Sequence, residues 1–148
     1  RLEAARRLLA EAVGNIVVRG AGWTALHGGV VPGAGLDGTS DHDKVHLKAP
    51  PGETPWWERY DGRDGLLIVR HKPLREPLML RRNGRPLVVN VDTGCAYGGA
   101  LTGYVVEEER FLQVPSLQPP REGFTTAAVA TAPQWASAGH GRMFARRP

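Results

Sequence analysis

The chain is poor in sulfur and in aromatic rings. It has one cysteine, Cys95, so no disulfide can close within it, and a reducing compartment such as the cytoplasm suits that usage. Only 7% of its residues are Phe, Trp or Tyr, too few to interleave with its arginines as a stacking surface for nucleic acid. No apolar run approaches the roughly 20 residues that a bilayer-spanning helix needs, so a membrane partner is not expected. The opening residues do not read as a basic-then-apolar leader. They also lack an initiating methionine, and a chain starting at Arg1 is expected to be a fragment, a processed product or an incomplete reading frame.

What is present suffices for one compact domain: 148 residues, 41% hydrophobic and 23% charged. The net charge of +4 permits an anionic partner without demanding one. Much of the excess sits in Arg1, Arg6, Arg7, Arg142, Arg146 and Arg147, a solvated fringe rather than a nucleic-acid groove.

Apolar residues at Leu2, Ala5, Leu8, Leu9 and Ala12 follow helical spacing and predict an amphipathic helix over 2–13. "NIVVRG" and "WTALHGG" read as strands around a Gly-Ala-Gly turn. Residues 29–65 hold few apolar runs and much Gly, Pro and Asp, which predicts a long loop or cap; "PWWERYDG" within it is aromatic enough to dock on a core. "GLLIVRHKP" is the strongest buried-strand signal. "PLMLRRNGRPLVVNV" predicts a hairpin turning at Asn83-Gly84, and "ALTGYVVEEERFLQV" a second hairpin turning at Glu107 to Glu109. Beyond Pro115 the chain turns to Pro, Gly, Ala and Arg without period, so 116–148 reads as a low-complexity, disordered tail after a domain of 1–115.

Five histidines are candidates for chemistry. His27 and His71 each end a predicted strand, where ligands gather in α/β sheets. Two imidazoles so placed can bind one divalent metal, or each can merely cap its strand. "SDHDKVH" offers a rival set, Asp41, His42, Asp43 and His46; without helical periodicity around it, it reads as a solvated polar loop. Cys95 reads as a small residue in a tight turn, since no general base adjoins it in sequence. The glycines of "NVDTGCAYGGALTGY" could cradle phosphate, but the pattern is neither a Walker loop nor G-x-G-x-x-G.

Three ordered segments carry a resemblance. "ALHGGVVPG", "LLIVRHKPLREP" and "NVDTGCAYGGALTGYVVEEERFLQVPS" resemble, in that order, the "VHAGI-PG", "VVYGHTP" and "NIDTGCVYGGKLTAL" segments of the calcineurin-like metallophosphoesterases, nearest the bacterial serine/threonine-phosphatase and diadenosine-tetraphosphatase branch. The likeness covers roughly residues 20–116. It implies an α/β fold, the C-terminal half of an αββα sandwich, with a mixed sheet and a late antiparallel meander over about 66–115; the helix at 2–13, read from periodicity, precedes the segment that carries the likeness. It implies that His27 and His71 serve one metal of a two-metal site of manganese, iron or zinc. Asp92, Thr93, Gly94, Gly98 and Gly99 would shape the turn beside that site, with Arg70, Lys72 and Tyr97 near the substrate.

The family's earlier "GD-HG", "GD-VDRGP" and "GNHE" motifs do not occur, and in the "GHTP" segment Arg70 replaces Gly and Lys72 replaces Thr. Two metals need roughly seven or eight protein ligands. This chain offers two, enough for at most one metal. The expectation is part of a metal-dependent phosphoesterase, inactive alone and completed by an N-terminal half of the same polypeptide. Its substrate would be a phosphorylated small molecule, a nucleotide such as a dinucleoside polyphosphate, or a phosphoprotein. The alternatives are a non-catalytic phosphate- or nucleotide-binding module, and an interaction module built on the same sheet.

Overall fold

A computed structural model describes residues 3–4, 6–7, 14–48 and 52–122. Glu3, Ala4, Arg6 and Arg7 are helical and exposed; the rest of the helix expected over 2–13 lies outside the described residues, as does 123–148 of the expected tail.

β1 (Val17–Gly20) and β2 (Trp23–Leu26) form the first hairpin, closed where Gly20 pairs with Trp23. β2 then runs parallel to β3 (Leu66–Val69), with Ala25 opposite Ile68. On its other edge β3 runs parallel to β5 (Arg85–Asn90), with Val69 opposite Asn90. β4 (Leu78–Arg82) pairs antiparallel to β5 through the Asn83-Gly84 turn, both residues of which adopt positive φ (50° and 77°) as that hairpin requires. The order β1-β2-β3-β5-β4 makes a mixed sheet. A second, antiparallel sheet holds β6 (Asp92–Thr93), β7 (Ala100–Val105) and β8 (Arg110–Pro115). The expected antiparallel meander thus comes in two pieces, because β3 is parallel to both its neighbours.

The apolar run of β3 sits at the sheet's centre, where Leu67 and Val69 are buried. Over them pack Val30, Leu36, Trp56, Trp57 and Tyr60, all from the span between β2 and β3. "PWWERYDG" therefore docks as expected. The long loop expected over 29–65 requires correction: it contains a helical turn (Gly35–Gly38), a six-residue helix (Asp41–His46) and a 3₁₀ turn (Trp56–Arg59). "SDHDKVH", expected as a loop, is that six-residue helix. Its start is fixed locally, since Ser40 Oγ caps it by accepting from Asp43 N at 3.1 Å and also donates to Asp43 Oδ2 at 2.8 Å, a signal that needs no apolar period. Gly28 N donates to Lys44 O at 2.6 Å, fastening the helix's last turn beneath His27. The second glycine of His27-Gly28-Gly29 is dictated by packing: a Cβ on Gly29 would lie 2.3 Å from the Trp56 ring.

Candidate functional site

Three parallel strands deliver the site. Since β2, β3 and β5 run the same way, their carboxyl ends share one edge of the sheet, where loops can converge. Arg70 N donates to His27 O at 3.1 Å and Val91 N to Val69 O at 3.0 Å, so the ladder continues one step past each strand. That step places His27, Arg70, His71 and Asp92 side by side.

Immediately past Arg70 the chain kinks. His71 adopts φ 81°, a left-handed conformation that costs a non-glycine residue about 1–3 kcal/mol. Four hydrogen bonds hold it there. His71 N donates to Asp92 Oδ2 at 3.1 Å, and Leu74 N to Asp92 O at 2.9 Å. The side chain of the fully buried Asn90 donates through Nδ2 to Lys72 O at 3.0 Å and accepts from Asp92 N at 2.8 Å.

The kink turns the two imidazoles toward each other. His27 Nε2 lies 2.8 Å from His71 Nδ1, although 44 positions separate them in sequence, and the ring centroids are 4.6 Å apart. Arg70 Nε donates to His27 Nδ1 at 2.6 Å. His71 Nε2 is buried and has no hydrogen-bond partner among the described residues. Burial first, then the nearby Arg70 and the other ring, hold His27 below its ordinary pKa, against the pull of Asp92. His71 is lowered too, by burial first and then by Lys48 and His46. Both rings are therefore mainly neutral at pH 7.

The glycine-rich loop closes the far wall. Asp92 Oδ1 accepts from Gly94 N at 3.1 Å, so one carboxylate ties this loop to the His71 kink. Gly94 and Gly98 are both left-handed and bracket the 3₁₀ turn Cys95–Tyr97, while Gly99 N donates back to Gly94 O at 3.0 Å. At Gly98 a Cβ would also lie 2.4 Å from Pro120 Cα, so a side chain is excluded twice over. Thr93 is buried, its hydroxyl donating to Ala100 O at 2.7 Å. Ser116 N donates to Gly99 O, Ser116 Oγ to Cys95 O and Arg121 N to Tyr97 O, so residues 116–122 lie along the outside of the loop. Between loop and histidines is a cavity of about 400 Å³, lined by His27, Arg70, His71, Asp92, Cys95 and Tyr97 among others.

Not every expected residue faces this cavity. The Lys72 ammonium lies 5.4 Å over the Trp57 ring, away from the lining. His42 stacks on His46 with centroids 4.7 Å apart, and the His46 ring lies 6.3 Å from that of His71, a neighbour that sequence spacing did not disclose. Among the described residues no group of three or more His, Cys, Asp or Glu side chains converges as a metal cage. The facing pair stands at hydrogen-bond distance; to share one tetrahedral cation with each nitrogen about 2.0–2.1 Å from it, the two nitrogens would part to roughly 3.3 Å, a small opening of the 2.8 Å contact.

No protein-family model matches the chain. Among curated proteins it is 39% identical over 69 residues to a bis(5'-nucleosyl)-tetraphosphatase PrpE (asymmetrical) from Halalkalibacterium halodurans, covering 47% of this chain and 26% of that protein. It is 36% identical over 74 residues to the PrpE of Anoxybacillus flavithermus, covering 50% and 28%. Among solved structures it matches a crystal structure described as a candidate diadenosine tetraphosphatase, with a TM-score of 0.57 at 17% identity, over 80% of this chain and 63% of that one. The curated matches support a likeness to the calcineurin-like metallophosphoesterase branch over part of the chain. The α/β fold seen here, with its mixed and antiparallel sheets, matches the fold of that solved structure. The chain spans about a quarter of the length of these two curated tetraphosphatase relatives.

Proposed function

We propose that the chain supplies one wall of a metal-dependent phosphoesterase site that hydrolyses phosphate esters, with dinucleoside polyphosphates as the favoured substrate class. The contact that carries this reading is His27 Nε2 to His71 Nδ1 at 2.8 Å, beside the glycine loop. His27 and His71 would hold one divalent cation of manganese, iron or zinc through those two nitrogens. When bound, such a cation polarises a phosphoryl oxygen and acidifies a water for in-line attack.

This chain's own groups supply orientation. Asp92 fixes the His71 backbone and the Gly94 amide, so ring and loop keep their spacing. Arg70 is exposed at the cavity and offers a guanidinium fork to a phosphate. Tyr97 lines the cavity at half-exposure, placed to meet a base or ribose. The remaining ligands, and the second metal, would come from an N-terminal half of the same polypeptide, so the 148-residue chain alone is inactive. A cytoplasmic setting suits the single cysteine. A second reading, anion binding without hydrolysis, draws support from the bond between Arg70 and His27.

Grafting residues 20–116 in place of the matching segment of the Halalkalibacterium protein tests the proposal. The chimera should cleave a bis(5'-nucleosyl) tetraphosphate in the presence of manganese and lose that activity with His27→Ala or His71→Ala. A folded chimera whose activity ignores both histidines would remove them from the site.

A further inference from the structure

A guanidinium has five N–H donors, no acceptor and no readily lost proton. The Nδ1 of His27 that meets Arg70 Nε at 2.6 Å is therefore a bare lone pair. A neutral imidazole with a bare Nδ1 carries its proton on Nε2. That proton points along the 2.8 Å contact to His71 Nδ1, which must accept it. His71 then keeps its own proton on Nε2, the buried atom without a partner. Arg70, His27 and His71 form one directed chain of donors, and the gap between the rings holds a proton where a cation would need two facing lone pairs.

A cation in that gap requires His27 to carry its proton on Nδ1 instead. Donor would then face donor across the 2.6 Å contact with Arg70 Nε, so the guanidinium would have to leave. It can do so, because Arg70 is exposed. We propose that Arg70 is a positioning residue that locks His27 in the tautomer unable to bind metal, so that guanidinium and divalent cation compete for one imidazole. This rests on the reading that His27 and His71 share a cation. It adds that the site is closed to metal until Arg70 is drawn away.

The test uses the full chain as wild type, Arg70→Ala, Arg70→Gln and the double variant Arg70→Ala/His27→Ala, with circular dichroism confirming that each folds. Cobalt(II) chloride is titrated in by calorimetry, with visible absorption reporting its coordination. Long-range nitrogen–proton NMR reads which nitrogen of each ring is protonated before metal is added. Arg70→Ala should bind cobalt about 10–100-fold more tightly than wild type, the scale on which groups behind a ligand act. Arg70→Gln should gain as well, since its side-chain carbonyl can accept from Nδ1–H. The double variant should lose the gain, and wild-type His27 should be protonated on Nε2. Equal, His27-dependent affinity in wild type and Arg70→Ala overturns the competition and leaves the shared-cation reading standing. Absence of His27-dependent binding in Arg70→Ala overturns both. A wild-type His27 protonated on Nδ1 overturns the competition directly.

Discussion

Replacing Asn90 by alanine should cost about 2–3 kcal/mol and loosen the site from behind. Asn90 is fully buried at the end of β5, and its amide makes two bonds, from Nδ2 to Lys72 O at 3.0 Å and from Asp92 N to Oδ1 at 2.8 Å. Each is worth about 1 kcal/mol net, and truncation of a fully buried side chain adds roughly 1 kcal/mol more for the space left behind. One bond fixes the chain just past the His71 kink and the other fixes Asp92, whose carboxylate holds His71 N; the left-handed backbone of the kink does not persist unless its surroundings enforce it. Urea unfolding followed by tryptophan fluorescence should show a lower midpoint at unchanged slope. NMR should show the His27 and His71 ring signals shifting together. A variant within 0.5 kcal/mol of wild type, with both rings unmoved, would refute the claim that Asn90 helps to hold the kink.

His71→Gly and His71→Ala both remove the ring, but only glycine relieves the positive φ, so the glycine variant should be about 1 kcal/mol more stable by urea titration; alanine matching it would mean the kink is unstrained. Burial lowers the folded-state pKa of His27 and His71 below 6.5, so the unfolded chain binds more protons under that value. Stability should therefore fall as pH drops below 6.5, and less steeply in His27→Gln/His71→Gln; identical slopes in wild type and double variant would count against it. Tyr60 is pushed up to about 12, chiefly by burial, and its hydroxyl donates to Gly65 O at 3.0 Å and accepts from Asp64 N at 2.9 Å. Tyr60→Phe should cost about 1–2 kcal/mol near neutrality. The neutral phenol is favoured in the fold, so wild-type stability should decline as pH rises from 10 toward 12, and thermal melts of Tyr60→Phe should lack that decline.

Much of the sheet was legible because its signals are local. The four apolar residues from Leu66 to Val69 read as a buried central strand, and Asn83-Gly84 has few conformations open to it besides a hairpin turn. Strand ends alone left open whether His27 and His71 meet or merely cap their strands, and the family resemblance pointed to the meeting; parallel pairing of β2 with β3 is what makes those ends coincide. The helix Asp41–His46 was missed because apolar periodicity was the criterion, and only Val45 is apolar within it. The spacing of Ser40 and Asp43 carried the signal as a cap. The tie from Asn90 through Asp92 to His71 was not legible: an Asn at a strand end reads as a polar terminus, and only β5's position beside β3 turns it into a clamp. Arg70 was visible as a bulky cation beside a candidate ligand, but its bond to the ring's Nδ1 depends on a side-chain direction that no spacing reveals.

The central claim, that two imidazoles share one cation beside the glycine loop, is tested most directly by diffraction from Arg70→Ala crystals soaked in manganese chloride, with data collected for anomalous scattering. One peak should stand between His27 Nε2 and His71 Nδ1. A peak at the His42 and His46 stack instead, or none within reach of His27, would contradict the account.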